Sequence, residues 1–434
     1  MATGAVSLSA YRRLLRANRN FRRLWLAQII SEMGDWLYTI AIYSLLLELT
    51  HSAQSVALAV VLQVLPQLFV APTAGVVNDR VSRKRVMIFA DLVRAAIVLG
   101  MLFVSRAEMV WLIYVLLLLE TVTWAFFEPG RSAIVPNITE SEDLVVANAL
   151  SSMTWSLILA VGSGLGGAVA ALFGRDTVFV LNSLSFLISA ALLRSMQIPE
   201  PHLAGAKPLR ARDLVDFSPI AEGIQYVTRD KRLFATLLVK AGLGFLGMHW
   251  VLLPIFGERI FPVRVEGLDP RRGAMLGMSF LMAARGIGAL LGPVCGGYWT
   301  GQRHARLRLG ILFGFVAGAL GYLGLAVAPS LWTACATVVL AHAGGSVIWV
   351  FSTTLLQFQT EDRFRGRVFS TDFAFLVLTQ SIASYAAGRL IDSGLPVRSL
   401  AAWTGLFALL PAVAWAFGLR LWKTPRSVAH DGNL

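Results

Sequence analysis

Gly75-Val76-Val77-Asn78-Asp79-Arg80-Val81-Ser82-Arg83-Lys84-Arg85 sets four cations and one acid between two apolar runs, 54–77 and 86–105. A charged stretch in that position marks where a chain leaves lipid and turns back. Gly75 removes a side chain where two helices can approach closely. Asp79, at the boundary, can face the positive end of a neighbouring helix. Arg80 and Arg83 can pair with acids at the same level. A loop that was merely basic would account for the arginines but not for Gly75 and Asp79 at this spacing.

The same pattern of long apolar runs and short charged connections extends over the whole chain. A helix needs about 20 apolar residues to cross the hydrocarbon. Twelve segments qualify: 24–49, 54–77, 86–105, 109–128, 146–173, 177–197, 232–256, 274–299, 307–328, 331–358, 368–391 and 399–422. The closest neighbours are separated by the turns Gly174 to Thr177 and Ala328 to Ser330. The 434 residues are 56% hydrophobic and 15% charged, with mean hydropathy +0.67, against about 25% charged in a soluble protein. The net charge of +13 does not point to nucleic acid, because the cations sit in short clusters between apolar runs. Cys295 and Cys335 both lie in apolar stretches and suggest neither a disulfide framework nor a metal site. The first apolar run is too long for a signal-peptide core. Neither a phosphate-binding loop nor a nucleophile–base set is visible, so no enzyme, catalytic residue, metal or cofactor is expected.

Lys and Arg set the orientation. With the N-terminus inside, the cytoplasmic connections hold 25 and the external ones 7. Four of those 7 fall in the loop 257–273. Both termini are then cytoplasmic in a prokaryotic plasma membrane. A tail, 1–23, precedes a six-helix bundle, 24–197. The linker 198–231 carries an amphipathic stretch, Asp213 to Thr228, expected to lie at the membrane surface. A second bundle, 232–422, and a tail, 423–434, follow. The halves look duplicated. Pro72-Thr73-Ala74-Gly75 recurs as Pro293-Val294-Cys295-Gly296. Ser141-Glu142-Asp143 recurs as Thr360-Glu361-Asp362, at nearly the same offset. Many transporters are built from such repeats.

At this point the sequence resembles the major facilitator superfamily, whose loop signature is Gly-x-x-x-Asp-Arg-x-Gly-Arg-(Arg/Lys). Gly75, Asp79, Arg80, Arg83 and Lys84 match it position by position, with Ser82 at the second glycine. In the second copy, Thr300 and Gly301 stand where Asp and Arg would be. Gln28 to Asp35, Phe127 to Pro136 and Arg365 to Val368 are similar to the branch containing macrolide efflux permeases and the enterobactin exporter. Gly162-Ser163-Gly164-Leu165-Gly166-Gly167 is similar to an antiporter motif, with Ser163 in place of its proline; close helix packing is the alternative for these glycines. The resemblance implies an all-α fold of twelve transmembrane helices in two pseudo-symmetric bundles. It further implies proton-driven export of a small amphiphilic compound such as a drug, macrolide or siderophore, by a monomer. It also places Glu128 against the loop arginines as a latch. An Arg83–Glu128 pair is expected, with Asp79 facing Ser370 to Asp372.

Ionisable groups inside hydrocarbon are costly and mark pathways or ion pairs. At about 1.5 Å rise per residue, Arg94, Glu120 and Glu32 fall at similar depth, so an Arg94–Glu120 pair, shared with Glu32, is expected. It is either a strut or part of a proton path. Asp35 lies near mid-membrane after Gly34, with no base one turn away on its own helix. It is the leading proton site, with Glu32 second. Arg285, flanked by Ala284 and Gly286, is expected to face the cavity, binding a substrate anion or pairing with Asp35. Trp36, Lys240 and His342 are further cavity candidates, although a histidine among small residues also suits a bond between helices. The functional alternatives are a lysophospholipid flippase and a non-transporting sensor on the same scaffold.

Overall fold

Backbone N–H and C=O groups find no water in hydrocarbon, so long apolar runs satisfy them internally as helices. The computed structural model describes residues 8–204, 218–264, 266–267, 269–300, 303–361 and 364–422. Helix α1 (Leu8–Ala17) precedes six long helices: α2 (Arg19–Thr50), α3 (Ala53–Arg80), α4 (Arg83–Gly100), α5 (Val110–Ile138), α6 (Leu144–Phe173) and α7 (Arg175–Arg194). After α8 (Ser218–Thr228) come α9 (Lys231–Phe245) and α10 (His249–Ile255). They are followed by α11 (Pro270–Thr300), α12 (His304–Val327), α13 (Leu331–Gln359), α14 (Arg365–Asp392) and α15 (Val397–Gly418). Among the described residues there is no strand. Of the expected amphipathic stretch, Ser218 onward is helix α8; 213–217 lie outside the described residues, as do Gly301, Asp362, 1–7 and 423–434.

Eleven helical stretches among the described residues are long and apolar enough to cross a membrane. The twelfth long helix, α2, carries Glu32, Asp35 and Glu48, which dilute its apolar character. It is nonetheless buried without a break from Leu37 to Leu47. The outer surface supports the membrane reading. Phe103, Trp111, Phe173, Val327 and Trp332 are each more than 60% exposed, an arrangement that lipid solvates and water does not.

The two expected hairpins form for separate local reasons. Gly174 alone links α6 to α7, at φ 88°, a conformation that favours glycine. Before α13, the Ser330 side chain accepts from Thr333 N–H in a reciprocal cap. The seventh span is less regular than the single helix expected over 232–256. A 3₁₀ turn, Leu246–Met248, separates α9 from α10, and a π turn, Phe256–Ile260, follows. A Cβ on Gly247 would lie 2.6 Å from Gln380 Cγ, so α14 presses on the chain there. Ser384 Oγ donates to the Gly247 carbonyl at 3.1 Å.

α2 to α7 pack as one bundle and α9 to α15 as the other, and the bundles meet chiefly through two helix pairs, α3 with α14 and α6 with α11. Second with eleventh and fifth with eighth exchange under a twofold relating the halves, as a duplicated chain requires.

Candidate functional site

In the first bundle, the buried Arg94 guanidinium gathers three carboxylates from three helices. Asp35 Oδ2 on α2 accepts from Nη2 at 2.8 Å, Asp91 Oδ1 on α4 lies 3.8 Å from Nη1, and Glu120 Oε1 on α5 lies 4.0 Å from Nη2. Phe186 on α7 backs the guanidinium at 4.0 Å. Asp35 is therefore the main partner of Arg94, and the expected Arg94–Glu120 pair is a longer, secondary contact. Depth along a helix puts two residues at one level but does not say which way each faces. Glu32 does not join this cluster: its Oε1 accepts from Gln28 Nε2 at 2.9 Å, and its Oε2 is buried without a hydrogen bond. Asp35, Arg94 and Glu120 border a cavity of about 170 Å³, together with Tyr38, Thr39, Gln63, Gln67, Thr121 and Trp124. Gln63 and Gln67 escaped the sequence reading. They are uncharged, and only their shared face on α3, four residues apart, could have signalled them.

The second bundle holds a simpler pair. Lys240 on α9 donates to Asp372 Oδ2 on α14 at 2.8 Å and lies 4.1 Å from the Trp349 ring. Both side chains are at most 4% exposed. Lys240 is thus an interhelical strut instead of a free cavity cation. Asp372, expected opposite Asp79, is committed to it.

Where the bundles meet at mid-span, aromatic side chains collect around Arg285. Trp36 on α2 stacks on Trp250 on α10, with ring centroids 6.1 Å apart, and Trp155 on α6 approaches Trp36 edge-on at 6.3 Å. The Arg285 guanidinium lies 3.8 Å from the Trp250 ring and 5.6 Å from that of Trp36. No Asp35–Arg285 pair forms, since Asp35 faces Arg94. His342 bonds Tyr322 across helices at 3.2 Å, as the packing alternative foresaw, and also packs edge-on against His249 at 4.6 Å. His249 was missed because it sits in the irregular seventh span.

The glycine run on α6 is a packing surface. A Cβ on Gly162 would lie 2.9 Å from Trp36 Cβ, and one on Gly166 2.9 Å from Leu37 Cα. One on Gly167 would strike the Ser279 side chain on α11.

The two ends of the molecule differ. At the end holding the α2–α3 turn, the halves are tied. Asp392, closing α14, accepts from the backbone N–H groups of Ala53 (2.8 Å) and Gln54 (3.0 Å) and from Ser52 Oγ. Arg259 donates to the His51 carbonyl at 3.1 Å, and Arg271 pairs with Glu48 at 2.7 Å. A Cβ on Gly388 would lie 2.6 Å from Ala57 Cβ. At the opposite end, a Cβ on Gly75 or Gly366 would meet nothing within 4 Å, so the close approach expected at Gly75 is not made. The Asp79 side chain is 74% exposed and reaches Arg83 of its own half at 3.4 Å. The expected Arg83–Glu128 pair does not form. Arg83 donates to the carbonyls of Asn78 and Ala133, and Glu128 takes both ends of Arg131 at 2.8 and 2.5 Å, one turn along its own helix. Lys84 Nζ donates to the Met196 carbonyl at 2.6 Å, and Arg80 closes α3.

Two six-helix bundles enclosing paired and unpaired charge at mid-span define a multi-pass membrane transporter. Residues 13–423 match the family described as Transmembrane secretion effector, and the chain belongs to that family, within the major facilitator superfamily. It is 28% identical over 374 residues to the uncharacterized MFS-type transporter YkuC of Bacillus subtilis (strain 168), covering 84% of each chain. It is 27% identical over 379 residues to Macrolide efflux protein A of Streptococcus pyogenes, covering 86% of this chain and 89% of that one. A crystal structure of a mutant of the nucleoside transporter NupG aligns with TM-score 0.73 at 11% identity, over 92% of this chain and 99% of that one. That likeness is one of fold.

Proposed function

We propose that this transporter exports a small amphiphilic compound by alternating access, driven by protons that pass through the Asp35–Arg94–Glu120 cluster. The observation that carries the reading is one guanidinium set among three carboxylates beside a cavity. With all three acids ionised, two negative charges lack a cation of their own. Like charges gathered around a single guanidinium in a low-dielectric interior repel one another. A bound proton removes that repulsion, so the cluster has room for protons that a one-to-one pair such as Lys240–Asp372 lacks. Asp35 is the acid of choice because it borders the cavity and takes up a proton once Arg94, which holds it by the short bond here, leaves it for another carboxylate. Movement of the bundles can then exchange one Arg94 partner for another.

The excess of Lys and Arg on one set of connections puts the Asp79 end and both termini in the cytoplasm of a prokaryotic cell. The tied end, at Asp392, is then external, and the arrangement described is the inward-facing one. Export is favoured because a macrolide efflux protein is among the relatives matched nearly end to end. The test is flux of a radiolabelled macrolide or a labelled lysophospholipid from proteoliposomes under an imposed pH gradient. Macrolide accumulation that follows the gradient and is lost in Asp35→Asn supports the reading. Flux indifferent to the gradient, or confined to the lysolipid, refutes it.

A further inference from the structure

Arg94 and Lys240 each have a carboxylate oxygen 2.8 Å away. Arg285, the third cation at mid-span, has none among the described residues, and neither a hydrogen bond nor an ion pair. The residue is 7% exposed, and Nη1 is sealed from solvent with no partner. Removing a guanidinium from water is costly, and aromatic faces offset only part of that cost. A buried cation left in this state calls for an anion that the protein does not itself supply.

The surroundings are built and fixed. Gly286, next in sequence, brings α11 against α6 so closely that a Cβ there would lie 2.4 Å from Ala160 Cα. This contact holds the Arg285 backbone at the junction of the bundles. Trp250 supplies one flat face and Trp36, from the other half, supplies a second. His249 stacks beside Trp250 at 5.4 Å. Its Nδ1 faces the Leu246 carbonyl at 2.8 Å and so carries the proton, which leaves Nε2, buried and unpartnered, as an acceptor.

We propose that Arg285, Trp36, Trp250 and His249 form an anion subsite. It takes an organic anion, a carboxylate or phosphate carried on a flat apolar body. The anionic group lies on Arg285, the body lies along the two indoles, and a neighbouring hydroxyl or N–H reaches His249 Nε2. The subsite draws residues from both bundles, so an occupant is held between them. Naming that occupant as cargo rests on the export reading; its binding does not.

The experiment is calorimetric titration of the full chain in detergent with three probes of one shape: naphthoate, naphthamide and naphthylmethylamine. Naphthoate is expected to bind at least tenfold more tightly than the other two. Arg285→Gln should remove that preference, and Arg285→Lys should keep part of it. The inference is overturned if the amine binds as well as naphthoate, if naphthoate produces no heat, or if Arg285→Gln binds it unchanged. Should Arg285→Gln fail to fold, the ranking of the probes on the wild-type chain still decides. Gradient-driven macrolide flux together with a preference for the amine would sink this subsite and leave efflux standing. A naphthoate preference without gradient-driven flux would do the reverse.

Discussion

Replacing Gly388 by leucine should push the protein out of the conformation described here. Gly388 lies where α14 meets α3 at the tied end. A Cβ added there comes to 2.6 Å from Ala57 Cβ and 2.8 Å from Gln54 Cα, and both obstacles belong to a packed helix. Ordinary carbon contacts are about 3.5–4.0 Å, so the helices must separate by about 1 Å for the Cβ alone and further for the rest of the side chain. Overpacking of this kind costs about 1–3 kcal/mol. The cost falls only on the state in which this end is closed. At about 1.4 kcal/mol per factor of ten, the population ratio shifts about 5- to 150-fold toward the opposite state. Gly75→Leu is the mirror experiment: its Cβ meets nothing within 4 Å here, so it should favour the present state. The assay is electron–electron resonance between spin labels at Glu108 and Ser393, and between labels at Glu140 and Arg303, with Cys295 and Cys335 changed to serine. Gly388→Leu should lengthen the first distance and shorten the second. Unchanged distances, or the same response to Gly75→Leu, would show that the packing at Gly388 does not hold this end closed.

Asp392→Ala removes the cap on the first turn of α3, worth about 1 kcal/mol, and should shift the same distances in the direction of Gly388→Leu by about fivefold in population. Lys240→Met leaves Asp372 buried without a cation, which should cost about 3–5 kcal/mol and lower the melting temperature in detergent. The double variant with Asp372→Leu should recover most of that stability; a double variant no better than the single would show that the pair is not the source. Glu48→Gln breaks contacts with Arg175 and Arg271. Because the Arg271 side chain is largely exposed, the effect on the conformational ratio should stay under about 1 kcal/mol and fade at high salt.

The spans and their order could be read from the sequence because lipid imposes a length on every apolar run. The loop at Asp79 could be read because its residues recur as a signature. What escaped concerns azimuth and alternatives in space. Arg94 and Glu120 were rightly placed at one level, yet the short bond goes to Asp35, whose direction on α2 no count along the axis reveals. Arg83 was expected to reach Glu128, but Arg131, three residues along the same helix, competes at no cost in distance. That choice belongs to one conformation, and a sequence encodes every conformation the chain adopts. Asp392 reads as an ordinary helix-ending acid until the fold sets the N-terminus of α3 beside it. The pairing of Lys240 with Asp372 needs the contact of α9 with α14, which no spacing encodes.

On the proposed mechanism, the carboxylates around Arg94 hold a proton that cargo and conformation release. By linkage, a ligand that expels a proton binds less well when protons are abundant. The direct measurement is the pH change when a macrolide such as erythromycin is added to weakly buffered, detergent-solubilised protein. Proton release is expected from the wild-type chain and none from Asp35→Asn, with the macrolide still bound. Binding without release in the wild type, or release that persists in Asp35→Asn, would contradict it.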